Sequence, residues 1–102
     1  MKFRLHPEAA NDLRDAARYY FEHANAALSQ ALFAEFDRAV KVLIAHPQRG
    51  SPWRAGFRRV LMRRFPYSIF YSIADEEIRI MAVAHQSRRP GYWQSRKWAG
   101  PA

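Results

Sequence analysis

Two apolar runs on either side of a short acidic stretch restrict the fold of this chain more than any other feature. Tyr67–Ile73 and Ile78–His85 are rich in β-branched and aromatic residues, and the tetrapeptide 74–77 lies between them. Runs of this kind joined by a short polar loop predict a β-hairpin. Alternate residues point to opposite faces of a strand, and both faces of these runs are largely apolar. We therefore expect the hairpin at the centre of its sheet, where both faces are covered.

The segment before the hairpin has the periodicity of two helices. Pro7 suits the first position of a helix, which is predicted to run to about His23. Asn25 can cap a second helix, which extends to about Ala45 because Pro47 disfavours the helical conformation in the residue before it. Apolar residues recur at three- and four-residue steps, which gives each helix one buried face. The predicted core residues are Leu13, Tyr20, Phe21, Leu32, Phe36, Val40, Ile69 and Ile80.

Two further strands complete the predicted topology. Lys2–His6 alternates apolar and polar residues, with Phe3 expected inward, and Phe57–Phe65 alternates in the same way. The order is β-α-α-β-β-β. This order predicts an α+β domain in which a helical hairpin packs on a twisted antiparallel sheet, with the first strand at an edge. A length of 102 residues suits one domain, so we expect a single domain over 1–102, with 94–102 as a flexible tail.

The positive charge of the chain is concentrated in two segments. The net charge is +8, with six arginines and no acid between Arg49 and Arg64, and four basic residues and no acid from His85 to the end. The predicted hairpin can bring these two segments together. An ordinary solvated surface mixes the two signs, so this distribution indicates an acidic or polyanionic partner.

The composition argues against several kinds of site. The chain has no cysteine, which excludes disulfides and thiolate chemistry, and its four histidines have no metal-ligand spacing. No glycine-rich phosphate loop is present, so neither a cofactor nor a metal is expected. The N-terminal residues lack the apolar region of a signal peptide, and no run is long enough to span a membrane. A cytoplasmic protein without membrane contact is therefore expected.

Three stretches, in this order, resemble the RelE/ParE family of toxins. The first is His6–Ala9 followed by Asp12-Leu13, the second is Leu43–Pro47 followed by Gly50, and the third runs from Arg63 to Trp93. The resemblance implies the toxin of a type II toxin–antitoxin pair, of the kind also described as plasmid-stabilisation proteins. It further implies an acidic, partly disordered antitoxin that wraps around the fold.

The basic residues before and after the hairpin form the expected antitoxin-binding surface. An acidic segment would be attracted to this surface by its charge. The predicted partner-binding residues are Arg58, Arg59, Arg63, Arg64, Arg88 and Arg89.

The family divides by target, and the two branches differ in the residues they need. RelE-like members cut mRNA in the ribosomal A site without a metal, whereas ParE-like members poison DNA gyrase and need no catalytic residues of their own. In a RelE-like mechanism a histidine could act as acid or base near neutral pH. The residues that would carry such a mechanism here are Arg59, Arg63, His85, Arg88 and Tyr92.

Two positions depart from the RelE-like pattern. Leu61 stands where a lysine is usual, and Ser68 stands where an arginine is usual. Arginine is also a poor general base, because it stays protonated. We therefore predict a ParE-like toxin that inhibits DNA gyrase. The alternative is a ribosome-dependent mRNA endonuclease, and a further alternative is a non-toxic basic module that binds RNA or a protein partner.

Overall fold

A computed structural model of the protein describes residues 1–98. Both predicted helices form at the predicted positions, and the hairpin joins its strands through the two residues Asp75 and Glu76. A short 3₁₀ turn at Arg54–Gly56 precedes the third strand. The elements are β1 (Lys2–Leu5), α1 (Pro7–His23), α2 (Ala26–Ala45), β2 (Ser51–Pro52), β3 (Arg58–Leu61), β4 (Tyr67–Ala74) and β5 (Glu77–His85).

The five strands form one sheet in the order β1-β5-β4-β3-β2. The predicted α+β class is confirmed, with β4 and β5 at the centre and β1 at an edge. The sheet is mixed, however, because β1 runs parallel to β5, with Leu5 opposite Ile80. A strand connected through a helical crossover can run parallel to its neighbour, whereas a tight turn forces the antiparallel arrangement. The two-residue strand β2 lies between α2 and β3, in a segment with two prolines and two glycines between positions 47 and 56.

A β-bulge interrupts the pairing of the hairpin. Phe70 lies opposite Ala82 but Tyr71 lies opposite Ile80, so Met81 has no partner on β4. The extra residue shifts the alternation, because Val83 packs in the core with Ile80 while Met81 and Ala82 pack on the other face. Strict alternation along β5 would put Val83 and Met81 on one face, so the alternation expected from the sequence does not hold beyond Ile80.

The principal core lies between the two helices and one face of the sheet. Six of the predicted core residues are buried in it. Tyr20 is half-buried at the edge of this core, whereas Phe21 is 60% exposed, so its predicted burial is wrong. Consecutive side chains of a helix point in directions about 100° apart around its axis. The apolar face that holds Tyr20 at its edge therefore cannot also bury Phe21. Phe3 is also exposed, contrary to expectation. The six confirmed residues are Leu13, Leu32, Phe36, Val40, Ile69 and Ile80.

A second core covers the opposite face of the sheet. Trp93 is 1% exposed, and its ring centre lies 4.8 Å from that of Phe70, 4.9 Å from that of Phe57 and 5.2 Å from that of Trp53. The segment after β5 thus returns over the sheet and is held there by one large aromatic side chain. Since both faces of the sheet are covered, the apolar character of both faces of the hairpin is explained.

The described part of the predicted tail contacts the start of α1. The Lys97 carbonyl accepts a hydrogen bond from His6 Nε2 at 2.9 Å, and the His6 and Trp98 rings meet edge to face with their centres 5.2 Å apart. His6 Nδ1 in turn accepts from the Glu8 N–H at 3.0 Å, so the same ring caps the helix. Residues 94–98 therefore lie against the domain. The prediction for 99–102 lies outside the described residues, and the mobility of the tail stays a prediction.

The loop after α2 is fixed to the centre of the sheet by one hydroxyl. Tyr71 is fully buried, and its hydroxyl donates to the Pro47 carbonyl at 2.7 Å and accepts from the Gly50 N–H at 3.0 Å. A Cβ at Gly50 would lie 2.7 Å from that oxygen, so no larger residue fits there without movement. This contact explains why the loop carries glycine at position 50. Within residues 1–98, neither helix is both long and apolar enough to cross a membrane.

Candidate functional site

A basic cleft lies on the sheet face opposite the helices, and its volume is about 320 Å³. Its floor is formed by β3, β4 and β5 through Leu61, Ser68, Phe70 and Ala84, and its wall is the segment after β5. Residues that give the cleft its chemical character are Arg59, His85, Arg88, Arg89, Tyr92 and Trp93.

The cleft collects four of the five residues predicted for a RelE-like mechanism, and Arg63 is the exception. The sequence pattern put Arg63 on one strand face with Arg59, but β3 ends at Leu61. The Met62 N–H donates to the Tyr67 carbonyl at 2.9 Å, which starts a turn into β4. That turn carries Arg63 away from the cleft, so the expected grouping of Arg63 with Arg59 is wrong.

The predicted partner-binding arginines fall into two groups. Arg59, Arg88 and Arg89 line the basic cleft. Arg63 instead lines a groove of about 180 Å³ between α2 and β3, together with Arg38, Arg49 and the apolar side chains of Val60 and Leu61. We call this the α2–β3 groove. Leu61 contributes to both surfaces, so they meet at the end of β3.

Two of the predicted arginines line neither surface. Arg58 points to the helix side of the sheet, where its guanidinium donates to the Gly50 carbonyl at 2.8 Å and to the Gln48 carbonyl at 3.3 Å. Arg64 lies over the ring of Phe65, 5.8 Å from the ring centre. The expected single basic surface is therefore divided by the edge of the sheet.

His85 closes β5 at one side of the cleft and is held in one orientation. Its Nδ1 accepts the Ser87 N–H at 3.0 Å and lies 2.7 Å from the Ser87 hydroxyl oxygen. Because a backbone N–H can only donate, neutral His85 must carry its proton on Nε2. The Tyr67 ring meets the imidazole edge to face at 5.0 Å. His85 is thus arranged as a hydrogen-bond donor, and it lacks the vacant nitrogen that a general base requires.

Tyr92 lies in the wall of the cleft beneath Arg88, whose guanidinium carbon is 3.9 Å from the centre of the phenol ring. Burial raises the pKa of Tyr92, and the nearby Asp12 carboxylate raises it further, although Arg88 and Arg96 act in the opposite direction. The hydroxyl therefore stays protonated at neutral pH. The cation–π contact fixes the direction of Arg88 along the wall.

An ion pair that sequence reasoning missed supports this wall from behind. Arg96 binds Asp12 through both terminal nitrogens, at 2.7 and 3.0 Å, and also donates to the Met81 carbonyl at 3.1 Å. Asp12 accepts the Val83 N–H at 3.0 Å. The pair joins α1, the bulge in β5 and the C-terminal segment. No spacing rule connects positions 12 and 96, so only the resemblance drew attention to Asp12.

The cleft offers hydrogen-bond donors and positive charge, and its lining includes no carboxylate. Within residues 1–98, no group of three or more histidine and carboxylate side chains is placed to hold a metal ion. Trp93 Nε1 is buried and has no hydrogen-bond partner among the described residues. The positive charge and the donors that line the cleft can bind an anion.

Comparison with known proteins places this structure in a family. A sequence model described as the ParE toxin of the type II toxin–antitoxin system parDE matches residues 3–90. The chain belongs to the ParE toxin family. The predicted family and the predicted role as the toxin of a type II toxin–antitoxin system are therefore confirmed. Membership of this family also implies an antitoxin partner for this ParE-family toxin.

Individual relatives agree with this assignment. The chain is 28% identical over 89 residues to Toxin ParE2 of Mycobacterium tuberculosis, in both strain H37Rv and strain CDC 1551, which covers 87% of this chain and 85% of the relative. A solved structure of the chromosomal ParDE TA system from P. aeruginosa matches with a TM-score of 0.75 at 23% identity, over 83% of this chain and 95% of that chain. The structural match shows that this chain and the matched chain of the solved structure have the same fold.

Proposed function

We propose that this ParE-family toxin inhibits cell growth by binding DNA gyrase, and that it does not cleave RNA. One observation carries the proposal, namely that the cleft contains charge-stabilising groups but no side chain able to accept a proton. His85 Nδ1 already accepts a hydrogen bond from the Ser87 N–H. The pKa of Tyr92 is raised, which keeps the Tyr92 hydroxyl protonated. A gyrase-directed toxin acts in the cytoplasm, which is where we place this protein.

RNA cleavage makes demands that this cleft meets only in part. The 2′-hydroxyl must lose a proton, the charge on phosphorus must be stabilised, and the leaving oxygen must be protonated. Arg59 and Arg88 could stabilise charge, but general acid–base catalysis typically supplies about 10²–10⁴ in rate. The base in such catalysis needs a side chain with a free lone pair. The floor positions Leu61 and Ser68, where RelE-like enzymes carry basic residues, supply no further charge.

We further propose that the antitoxin is acidic and covers both basic surfaces. The basic cleft carries Arg59, Arg88 and Arg89 on its rim, and the α2–β3 groove carries arginines above an apolar floor. An amphipathic acidic segment matches both surfaces, since its apolar side chains would fill the floor while its carboxylates meet the arginines. The association rate should then fall as salt is added.

The target is tested by two assays on the same purified toxin. Incubation with gyrase, ATP and plasmid should trap cleaved plasmid, and an excess of the antitoxin should abolish trapping. Under matched conditions, mRNA on translating ribosomes should remain whole. Codon-positioned cuts in that mRNA, lost in Arg88→Ala, would instead support the RelE-like mechanism with Arg59, His85, Arg88 and Tyr92 at its site.

A further inference from the structure

Arg88 lines two neighbouring pockets of the molecule. The first is the basic cleft, and the second is a pocket of about 180 Å³ beside α1, which we call the α1 pocket. Asp12 and Asp15 also line the α1 pocket, and within the described part of the chain Arg88 is the only arginine or lysine in its lining. The exposed Arg88 side chain can therefore turn toward the cleft or toward two carboxylates, and its direction decides whether the cleft has this charge.

The carboxylate that competes most strongly for Arg88 is already paired with another arginine. Arg96 binds both oxygens of Asp12, at 2.7 and 3.0 Å. The side chains of Asp12 and Arg96 are only 15% and 11% exposed, so water has little access to either group. A carboxylate in such a position needs a cationic partner, and removal of that partner leaves its charge unpaired. Without Arg96, the arginine that shares a pocket with Asp12 is Arg88.

Arg88 is held on the cleft wall by a weaker contact, in which its guanidinium carbon lies 3.9 Å from the centre of the Tyr92 ring. Burial and then the Asp12 carboxylate raise the pKa of Tyr92 while Arg88 lowers it, so Asp12 and Arg88 act on the same phenol. A cation–π contact of an exposed arginine is worth less than the loss of the partner of a largely buried carboxylate. An unpaired Asp12 would therefore draw Arg88 away from the ring.

We propose that Arg96 is a positioning residue of the basic cleft, because it occupies the Asp12 carboxylate and so leaves Arg88 on the cleft wall. Loss of Arg96 would turn Arg88 into the α1 pocket, and the cleft would lose the charge of a residue that is itself unchanged. The position of Arg88 is a property of the isolated chain. Its consequence for gyrase inhibition rests on the proposed function, so the two are measured separately.

NMR spectroscopy of the isolated toxin measures the position of Arg88. In the wild type the side-chain protons of Arg88 should be shifted upfield by the Tyr92 ring and should show nuclear Overhauser effects to it. Arg96→Met keeps an apolar stem and removes every donor, so both signals should be lost. Asp12→Asn/Arg96→Met should restore them, because an amide at position 12 does not attract a cation but can still accept the Val83 N–H.

The double variant separates positioning from general support of the wall. If Arg96 only supported the wall, the additional loss of the Asp12 carboxylate could not return Arg88 to the Tyr92 ring. Arg96→Lys keeps a cation for Asp12, so it should leave Arg88 on the ring. Thermal unfolding is measured in parallel, and Arg96→Gln replaces Arg96→Met throughout if neither Arg96→Met variant folds. Unfolding of Arg96→Met while the double variant folds would overturn the inference, since Arg88 would then have failed to satisfy Asp12.

Trapping of cleaved plasmid by gyrase measures the consequence for inhibition. Arg88→Ala should raise the toxin concentration for half-maximal trapping about tenfold, because one charge-assisted contact is lost. Arg96→Met should raise it by the same factor, and Arg88→Ala/Arg96→Met should be no worse than either single variant, because both changes remove the same contact. Asp12→Asn/Arg96→Met should return to within about twofold of the wild type.

Net charge could also explain that recovery, so the control variant has the same net charge. Glu22 is exposed on α1 and lines neither pocket, so Arg96→Met/Glu22→Gln restores the charge but leaves Asp12 unpaired. It should not restore trapping, and equal recovery in both double variants would overturn the inference. Unchanged Arg88 signals in Arg96→Met would overturn it as well. A wild-type toxin that traps no plasmid refutes the gyrase proposal alone, because the NMR comparison needs no gyrase.

Discussion

The hydroxyl of Tyr71 joins the loop after α2 to the centre of the sheet, and Tyr71→Phe tests that connection. The substitution keeps the buried ring and deletes two hydrogen bonds, one to the Pro47 carbonyl at 2.7 Å and one from the Gly50 N–H at 3.0 Å. Because the loop leads into β2 and β3, these bonds also fix the strand that carries Arg59.

The expected loss of stability follows from the burial of the two groups left behind. Gly50 is buried, so its unpaired N–H should cost about 1–3 kcal/mol. Pro47 is half-buried and its carbonyl can regain water, so only the net value of an ordinary bond, about 0.5–1.5 kcal/mol, is lost there. We expect Tyr71→Phe to lower the free energy of unfolding by about 1.5–4.5 kcal/mol, out of the roughly 5–15 kcal/mol typical of a domain.

Urea denaturation followed by circular dichroism measures this difference. The midpoint should fall while the slope of free energy against urea stays the same, because the unfolded surface is unchanged. Tyr19→Phe is the matched control, since Tyr19 is 53% exposed on α1, and it should stay within about 0.5 kcal/mol of the wild type. A loss below about 1 kcal/mol in Tyr71→Phe would refute the role of this hydroxyl.

Three further changes probe other parts of the structure. Asp12→Asn leaves the partly buried Arg96 guanidinium without its carboxylate, so the free energy of unfolding measured in urea should fall by about 2–4 kcal/mol; no loss would mean that the pair does not hold the wall. Glu76→Gly relieves a left-handed residue with φ of 57° in the hairpin turn and should raise the free energy of unfolding by about 0.5–1 kcal/mol, seen as a higher thermal midpoint. Burial raises the pKa of Tyr20, Tyr67, Tyr71 and Tyr92, so the unfolded chain releases its phenolic protons first. Stability should therefore be complete below about pH 10 and fall above it, and a constant urea midpoint through that range would contradict this.

Local signals in the sequence predicted most of the elements correctly. Proline and asparagine marked the start of α1 and α2, and the periodicity of each helix identified its buried face. The hairpin was recognisable because a short polar loop separates two runs that are rich in β-branched and aromatic residues. The exposed Phe21 shows the limit of such reasoning, since a run of three aromatic residues in a helix does not reveal which one lies at the edge of the stripe.

Features that depend on distant parts of the chain could not be predicted. The Asp12–Arg96 pair joins residues 84 positions apart, and neither residue has a neighbour that marks it. The position of Arg63 depends on where β3 ends, and the alternating pattern continues past that point without a break. For the same reason, the candidate site was only partly recovered: Arg59, His85, Arg88 and Tyr92 were named, but Trp93, which also lines the cleft, was not.

The bulge at Met81 connects the depth of the cleft to the support of its wall. A shift of one residue exchanges the two faces of a strand, so the bulge places Val83 in the principal core and leaves the small Ala84 on the cleft floor. If β5 alternated regularly from Ile80 onward, with no bulge, Val83 would face the cleft and partly fill it.

The bulge also lies where β5 loses its neighbour β1, whose pairing ends with Leu5 opposite Ile80. Beyond that point the backbone groups of β5 need other partners. Asp12 accepts the Val83 N–H and Arg96 donates to the Met81 carbonyl, so two side chains replace the missing strand. Arg96 belongs to the segment that carries Tyr92 and Trp93. The bulge therefore leaves only small side chains on this part of the cleft floor and also anchors the wall above it.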